Sequence, residues 1–223
     1  MGSWTGSEIA RGDTNKPPLP DGPLPKAPAD LSAWKITYAY SSDKPRKRKQ
    51  QRSSTAPDSG NSVSPALPRQ IILTITRPLW HAAVMDIDGR ETDEWSDGEV
   101  QFFQADGISH PMEVPVDSEG SPLLPDYGKT GFPDLAWLSP ETYSGVEKVN
   151  ARQCLIFKQG DMTAWLDSET RYPVKWQRGG ETRNFTELPA PDGLLKLPPE
   201  VSNLFQGAKR DRERLKQPVP SGG

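Results

Sequence analysis

The sequence has a single cysteine, Cys154, so no disulfide can form within the chain. It has only two histidines, His81 and His110, and neither stands at a metal-ligand spacing with the cysteine. No hydrophobic run reaches the length of a transmembrane helix, and residues 1–20 contain no apolar stretch typical of a signal peptide. We therefore predict a fold without disulfides, metal sites or membrane-spanning helices.

The sequence also lacks the motifs of common enzymes. It contains no glycine-rich phosphate loop and no nucleophile elbow. His81 shares a predicted strand face with Ala83 and Met85, which is typical of a hydrogen-bonded structural histidine. The carboxylates Glu91 and Asp93 stand in a polar stretch, where nothing indicates the burial that would tune a pKa for acid-base work. We predict that the protein is not an enzyme and uses no cofactor and no metal.

The charge is nearly balanced, with a net charge of -3 and an isoelectric point of about 5.5. This balance disfavours a nucleic-acid binder. One segment differs, since residues 42–68 have no apolar periodicity and contain a dense basic run. The run indicates a solvated loop, a phosphate-binding patch or a contact with an anionic membrane surface, where each cation contributes roughly 1 kcal/mol. Its basic residues are Lys44, Arg46, Lys47, Arg48, Lys49 and Arg52.

Proline is abundant, with 24 residues, and it divides the chain. Residues 1–28 are rich in proline, glycine and charge, which predicts a disordered tail. An alternative is a proline-rich ligand for an aromatic groove. Residues 29–206 are predicted to form one β domain, with a disordered basic insert at about 42–68. Residues 207–223 are predicted to be a solvated end.

Alternating apolar residues and tight turns predict an antiparallel sheet. Residues 151–188 read as four strands separated by turns at 159–161, 167–169 and 178–180. Asp88-Gly89 and Asp97-Gly98 are further hairpin signals. The predicted fold class is mainly β, with a single curved antiparallel sheet in mostly sequential order and a few short helices.

The same region resembles a known family. The strand RQCLIF is followed by AWLDSETRYPVKWQ, in which Trp165-Leu166-Asp167 ends one strand and Tyr172-Pro173-Val174 begins the next. This pattern resembles the C-terminal meander of the lipoprotein-localisation-factor family, which has the LolA-like fold. The resemblance implies a half-barrel that cups an apolar cavity for acyl chains, or that senses and binds partners in related proteins. It also implies a periplasmic or cell-envelope location, with any signal peptide already removed.

One feature departs from that family, because its members open with an amphipathic helix and this sequence opens with a proline-rich segment. The leading prediction is a monomeric carrier or receptor that binds an acyl chain or lipoprotein on the concave face of the sheet. The alternative is an envelope sensor or interaction protein that binds a protein partner through the same sheet. Residues 108–131 and 132–143 are predicted to cover the groove. The groove candidates are Trp80, Trp95, Phe103, Trp137, Trp165 and Trp176.

Overall fold

The computed structural model describes residues 17–41, 67–116, 118, 124–125, 127 and 131–216. The strands are, in chain order, β1 (Leu31–Tyr40), β2 (Pro68–Thr76), β3 (Leu79–Asp86), β4 (Glu91–Ser96), β5 (Gln101–Ala105), β6 (Met112–Glu113), β7 (Tyr143–Val149), β8 (Arg152–Gln159), β9 (Met162–Asp167), β10 (Pro173–Arg178) and β11 (Glu181–Leu188). Two 3₁₀ turns, Pro133–Leu135 and Pro140–Thr142, precede β7, and the helix α1 (Pro199–Lys216) follows β11.

The strands form one antiparallel sheet in the order β6-β5-β4-β3-β2-β1-β11-β10-β9-β8-β7. Strands β2 to β6 and strands β7 to β11 are two sequential meanders, and β1 lies between them. The sheet is open, because its edge strands β6 and β7 do not pair with each other. The predicted fold class is therefore confirmed: the chain is mainly β, with a single antiparallel sheet in mostly sequential order.

Alternation along β1 separates the two faces of the sheet. Trp34 and Ile36 are buried, Tyr38 packs beside them, and all three belong to the larger hydrophobic core. We call the face that carries this core the inner face, and it is the face that the family resemblance predicts to be concave. The opposite face is called the outer face. Successive strand residues point to opposite faces, so a side chain's face follows from its register with β1.

The helix α1 lies on the outer face. Its Val201 and Phe205 pack against Trp95 of β4 and Phe102 of β5, and the Phe102 and Phe205 rings meet edge to face at 4.9 Å. The helix continues past Gly207 to residue 216, and Arg212 forms an ion pair with Glu99. Ala208 packs against the cluster of Trp95 and Phe102, whereas the side chains of residues 209–211, 213 and 214 are exposed. The solvated end from residue 207 therefore stays a prediction.

The described part of the N-terminal segment contacts the domain. Leu19 and Leu24 pack against the inner core, and the Lys26 N–H donates to the Arg171 carbonyl at 3.1 Å. The Arg171 guanidinium in turn donates to the Asp21 carbonyl at 2.6 Å. Residues 17–28 thus differ from the predicted tail, since prolines restrict the free chain and reduce the entropy lost when two leucines are buried. Residues 1–16 and the basic insert from 42 to 66 lie outside the described residues.

Strand β7 was not predicted, because its turn carries an unusual sequence. The strand joins β8 through Asn150 and Ala151, which have φ values of 49° and 66°. Two-residue turns of this kind favour Asn-Gly, since glycine adopts positive φ without strain. Because alanine occupies the second position of this turn, the sequence lacks the Asn-Gly signal that predicts a hairpin.

A bulge in β10 changes the face of one residue. The sequence alternation places Tyr172, Val174 and Trp176 together, but the pairing of β10 with β9 shifts between Pro173 and Lys175. Val174 consequently packs with the outer cluster, whereas Trp176 packs in the inner core. An extra residue at a bulge moves one side chain to the other face.

Candidate functional site

The inner face is a continuous surface of aromatic and aliphatic side chains. Trp80 of β3 is fully buried, Trp34 of β1 is 2% exposed and Trp176 of β10 is 4% exposed. Phe185 of β11 pairs with Ile36 of β1 in register, so the seam between the two meanders is apolar on this face. Such a surface would be an apolar groove if nothing covered it.

The connection between β6 and β7 lies over this face, which Leu19 and Leu24 also contact. Residues 114–142, here called the crossing segment, join β6 at one edge of the sheet to β7 at the other edge. At its start the Val114 N–H donates to the Gln101 carbonyl of β5 at 2.8 Å, and the Pro125 carbonyl accepts a hydrogen bond from the Gln101 side chain at 3.5 Å. Tyr127 then meets Trp80 of β3 edge to face at 5.5 Å. The crossing segment therefore begins its passage above the first meander.

The middle of the crossing segment fills the space above the seam. The Phe132 ring lies edge-on to Trp34 at 5.1 Å and to Phe185 at 5.7 Å. Leu135 is fully buried and Leu138 is 7% exposed, and both belong to the inner core. The backbone N–H groups of residues 135, 136 and 138 all donate to carbonyls three residues earlier. The contacts of this part with the sheet are thus made by side chains.

Among the residues that the structure describes, an ion pair joins the crossing segment to the sheet. Arg183 of β11 forms an ion pair with Asp134 of the first 3₁₀ turn, and its Nε also donates to Glu181 at 2.6 Å. The guanidinium carbon lies 4.4 Å from the centroid of the Trp176 ring and 4.9 Å from that of Tyr38. The side chain is only 14% exposed. Arg183 is therefore a desolvated cation that lies between aromatic rings and two carboxylates.

These neighbours determine the protonation of the cluster. Burial opposes the charge of Arg183, but the Asp134 and Glu181 carboxylates outweigh it, and the pKa of Arg183 is raised. Burial also raises the pKa of Tyr38, although Arg183 opposes this shift. Burial and the nearby Glu181 charge raise the pKa of Tyr40 to about 12, and its hydroxyl donates to the Pro68 carbonyl at 2.7 Å. Both tyrosines are therefore neutral at physiological pH, and Tyr40 acts as a hydrogen-bond donor.

A buried carboxyl group lies on the inner face of β4. Glu94 is 6% exposed, it pairs in register with Ala82 of β3 and Phe103 of β5, and its Oε2 has no hydrogen-bond partner among the described residues. Burial raises the pKa of Glu94 to about 7, and a hydrogen bond with the Gln101 side chain opposes the shift. Glu94 can therefore change its charge near neutral pH.

The six predicted groove residues do not form one site. Trp80 and Trp176 are in the inner core and Trp137 packs partly buried against it. Trp95 lies on the outer face under α1, because Trp80 pairs with Ser96 and the next residue along β4 must point the other way. Trp165 also lies on the outer face. It packs there with Cys154, Ile156 and Val174.

Phe103, the sixth candidate, is half-buried on β5, where it pairs with Met112 of β6. Trp165 and Trp176 are both buried, at 8% and 4% exposure, although they lie on opposite faces. The basic run from Lys44 to Arg52 lies outside the described residues, so its contact with an anionic surface stays a prediction.

The reading of the sequence missed Arg183 and Glu94. A signal was present for Arg183, since strict alternation along β11 puts it on the same face as Phe185. For Glu94 no signal existed, because a glutamate within the polar run ETDEWS gives no indication of burial. Among the described residues no group of three or more His, Cys, Asp or Glu could hold a metal ion. No described helix is long and apolar enough to cross a membrane.

No family model matches the chain, and a search of curated proteins finds no match to it.

Proposed function

We propose that this chain is a non-enzymatic protein of a bacterial cell envelope that binds an apolar ligand, an acyl chain or a lipoprotein's acyl group, on the inner face of its sheet. In this proposal the ligand takes the place of Tyr127 and residues 131–138 of the crossing segment, while Val114 stays bonded to the Gln101 carbonyl of β5. The observation that carries it is the way in which residues 131–138 are held. Their described contacts with the sheet are buried rings, aliphatic side chains and one ion pair, while their backbone hydrogen bonds stay within the segment.

Apolar contacts are not directional, so an acyl chain can replace them without unsatisfied backbone groups. An acyl chain with about 15 buried methylenes gains about 12 kcal/mol at 0.8 kcal/mol each. Removing Tyr127, Phe132, Leu135 and Leu138 from the core costs about 1.5–3 kcal/mol for each side chain, or about 6–12 kcal/mol in total. The two amounts are of the same size, and exchange is therefore energetically possible.

The ion pair between Arg183 and Asp134 adds a polar contribution to this exchange. When Asp134 leaves with the crossing segment, Arg183 loses one of its two carboxylate partners while it stays between the rings of Trp176 and Tyr38. A fatty-acid carboxylate presents the same group to the guanidinium. Arg183 would thus orient the carboxylate of a free fatty acid on the inner face, at the position that Asp134 now occupies.

Palmitate titrated against the intrinsic tryptophan fluorescence tests the proposal. We expect a saturable change that is largely lost in Trp137→Phe, since Trp137 packs partly buried at this core. In Asp134→Asn the crossing segment is held less firmly, and a charge-assisted hydrogen bond worth about 1.5–3 kcal/mol predicts at least tenfold tighter binding. The matched control is Glu99→Gln, which also removes an arginine's carboxylate partner but on the outer face.

An absence of any change at micromolar palmitate would overturn the carrier proposal. Equal affinities of Asp134→Asn and Glu99→Gln would overturn displacement of the crossing segment. One observation favours a second candidate, a sensor or interaction protein that binds a protein partner: the inner face is filled by the protein's own Phe132 and Leu135. A native mass spectrum of gently purified protein separates the two candidates, because a carrier retains lipid mass and a scaffold does not.

A further inference from the structure

We propose that the outer face carries a second binding site, which takes the carboxylate head of a medium-chain amphiphile. The site is a hollow of about 670 Å³ between the end of β11 and the turn that joins β7 to β8. This volume lies within the range of about 300–1,000 Å³ that is typical of small-molecule sites. Its lining residues are Asn150, Arg152, Val174, Asn184, Phe185, Thr186, Glu187, Leu188 and Pro189.

Strand register places the polar side chains of this hollow on the face opposite the crossing segment. Phe185 belongs to the inner core, so the residues on either side of it in β11, Asn184 and Thr186, point outward. Arg152 lies two residues before Cys154 in β8, and Cys154 belongs to the outer cluster. An amide, a hydroxyl and a guanidinium from two separate strands therefore converge on one hollow.

The charges of the hollow favour an anion. Arg152 is exposed, and among the described residues it forms no ion pair, even with Glu187, which also lines the hollow. The guanidinium, the two amides of Asn150 and Asn184 and the Thr186 hydroxyl can all donate hydrogen bonds. The one carboxylate residue of the lining, Glu187, pairs with Trp34 in register, so its side chain points to the inner face. A carboxylate head satisfies several of these donors at once, and Arg152 can bind it in a bidentate manner.

The rest of the hollow suits an apolar tail. Val174, Leu188 and Pro189 line it, and Val174 is continuous with the outer cluster that contains Ile156 and Trp165. The bulge in β10 is what brings Val174 to this face. A ligand with a carboxylate at one end and a short alkyl chain at the other matches this division of polar and apolar lining.

The rim of the hollow is built from strained backbone. Asn150 and Ala151 have positive φ values, which for an alanine cost roughly 1–2 kcal/mol. This turn fixes the positions of Asn150 and Arg152 on the rim. Strain of this kind persists where the surrounding structure over-determines it, and it clusters at binding sites.

Calorimetric titration of the full chain with octanoate, octylamine and octanol tests this site. We expect octanoate to bind at least tenfold more tightly than the other two, and Arg152→Gln to abolish that preference. Arg69 is also an exposed arginine, but it lies at the start of β2 and does not line the hollow. Arg69→Gln should therefore leave the preference for octanoate unchanged. Asn184→Asp, which places an anion on the outer face within the hollow, should weaken octanoate binding as well.

Equal binding of the three ligands, or a preference for octanoate that survives Arg152→Gln, would overturn the outer site. The inner-face proposal is judged separately, because Arg152→Gln should not alter the palmitate response that depends on Trp137. An octanoate preference that is lost in Trp137→Phe but kept in Arg152→Gln would assign the carboxylate to the inner face and likewise overturn the outer site. A circular dichroism spectrum identical to that of the unmodified protein shows that each variant is folded.

Discussion

The raised pKa of Glu94 predicts that the stability of the protein falls as the pH rises. Its carboxyl group is buried among Ala82, Phe103 and Gln101, and burial raises its pKa from 4.5 to about 7. Between pH 4.5 and pH 7 the unfolded chain releases the proton while the folded chain keeps it. The folded state therefore binds more protons, and the free energy of unfolding falls as the pH rises through this window.

The size of the effect follows from the shift. Each pKa unit corresponds to about 1.4 kcal/mol, so the contribution present below pH 4.5 and lost above pH 7 is about 3 kcal/mol. Urea denaturation at pH 5 and pH 8 measures the change in the free energy of unfolding. In Glu94→Gln this part of the change should disappear, and the variant should be more stable than the unmodified protein at pH 8.

The difference between the two proteins isolates Glu94, because every other titrating group is common to both. Glu99→Gln, an exposed glutamate near the end of the same hairpin, is the matched control and should keep the pH dependence of the unmodified protein. If Glu94→Gln and the unmodified protein lose the same free energy between pH 5 and pH 8, the carboxylate is solvated, and the burial of Glu94 on the inner face of β4 is wrong.

Two further predictions concern the cores on the two faces. Trp176→Ala should cost about 3–5 kcal/mol in urea denaturation because the ring is buried beneath Arg183. The neighbouring substitution Gln177→Ala, which removes a half-buried side chain and one hydrogen bond to Thr182, should cost about 1 kcal/mol, and equal costs would contradict the assigned faces of β10. Phe205→Ala should cost about 3 kcal/mol or more and should release α1, seen as a loss of helical circular dichroism; an unchanged spectrum would show that Phe205 does not hold the helix.

Local sequence patterns predicted most of the sheet. Hairpins with Asp-Gly turns, such as those at Gly89 and Gly98, were recognised because glycine at positive φ marks a turn in the sequence itself. The break between β2 and β3 falls at Pro78, which is also a local signal, since proline cannot donate to a ladder. These signals act over a few residues, and local reasoning can therefore find them.

The candidate site was less predictable because it depends on contacts between distant parts of the chain. The ion pair of Asp134 with Arg183 joins a loop to a strand that follows it much later, and the burial of Glu94 depends on what covers β4. The bulge that turns Val174 outward is likewise invisible to a period-two pattern. Assigning all six large aromatic residues to one groove failed for this reason, since the face of each ring depends on register between strands.

The seam between β1 and β11 has a consequence for folding. Apart from this seam and the pair β1 with β2, every strand pair in the sheet is a hairpin between consecutive strands. Each of these hairpins closes only a short stretch of chain. The seam instead joins Ala33 to Leu188, near the two ends of the domain, and the entropy of loop closure grows with the length enclosed. We expect the two meanders to form quickly and independently, and their joining through β1 to set the slow, rate-limiting phase of refolding.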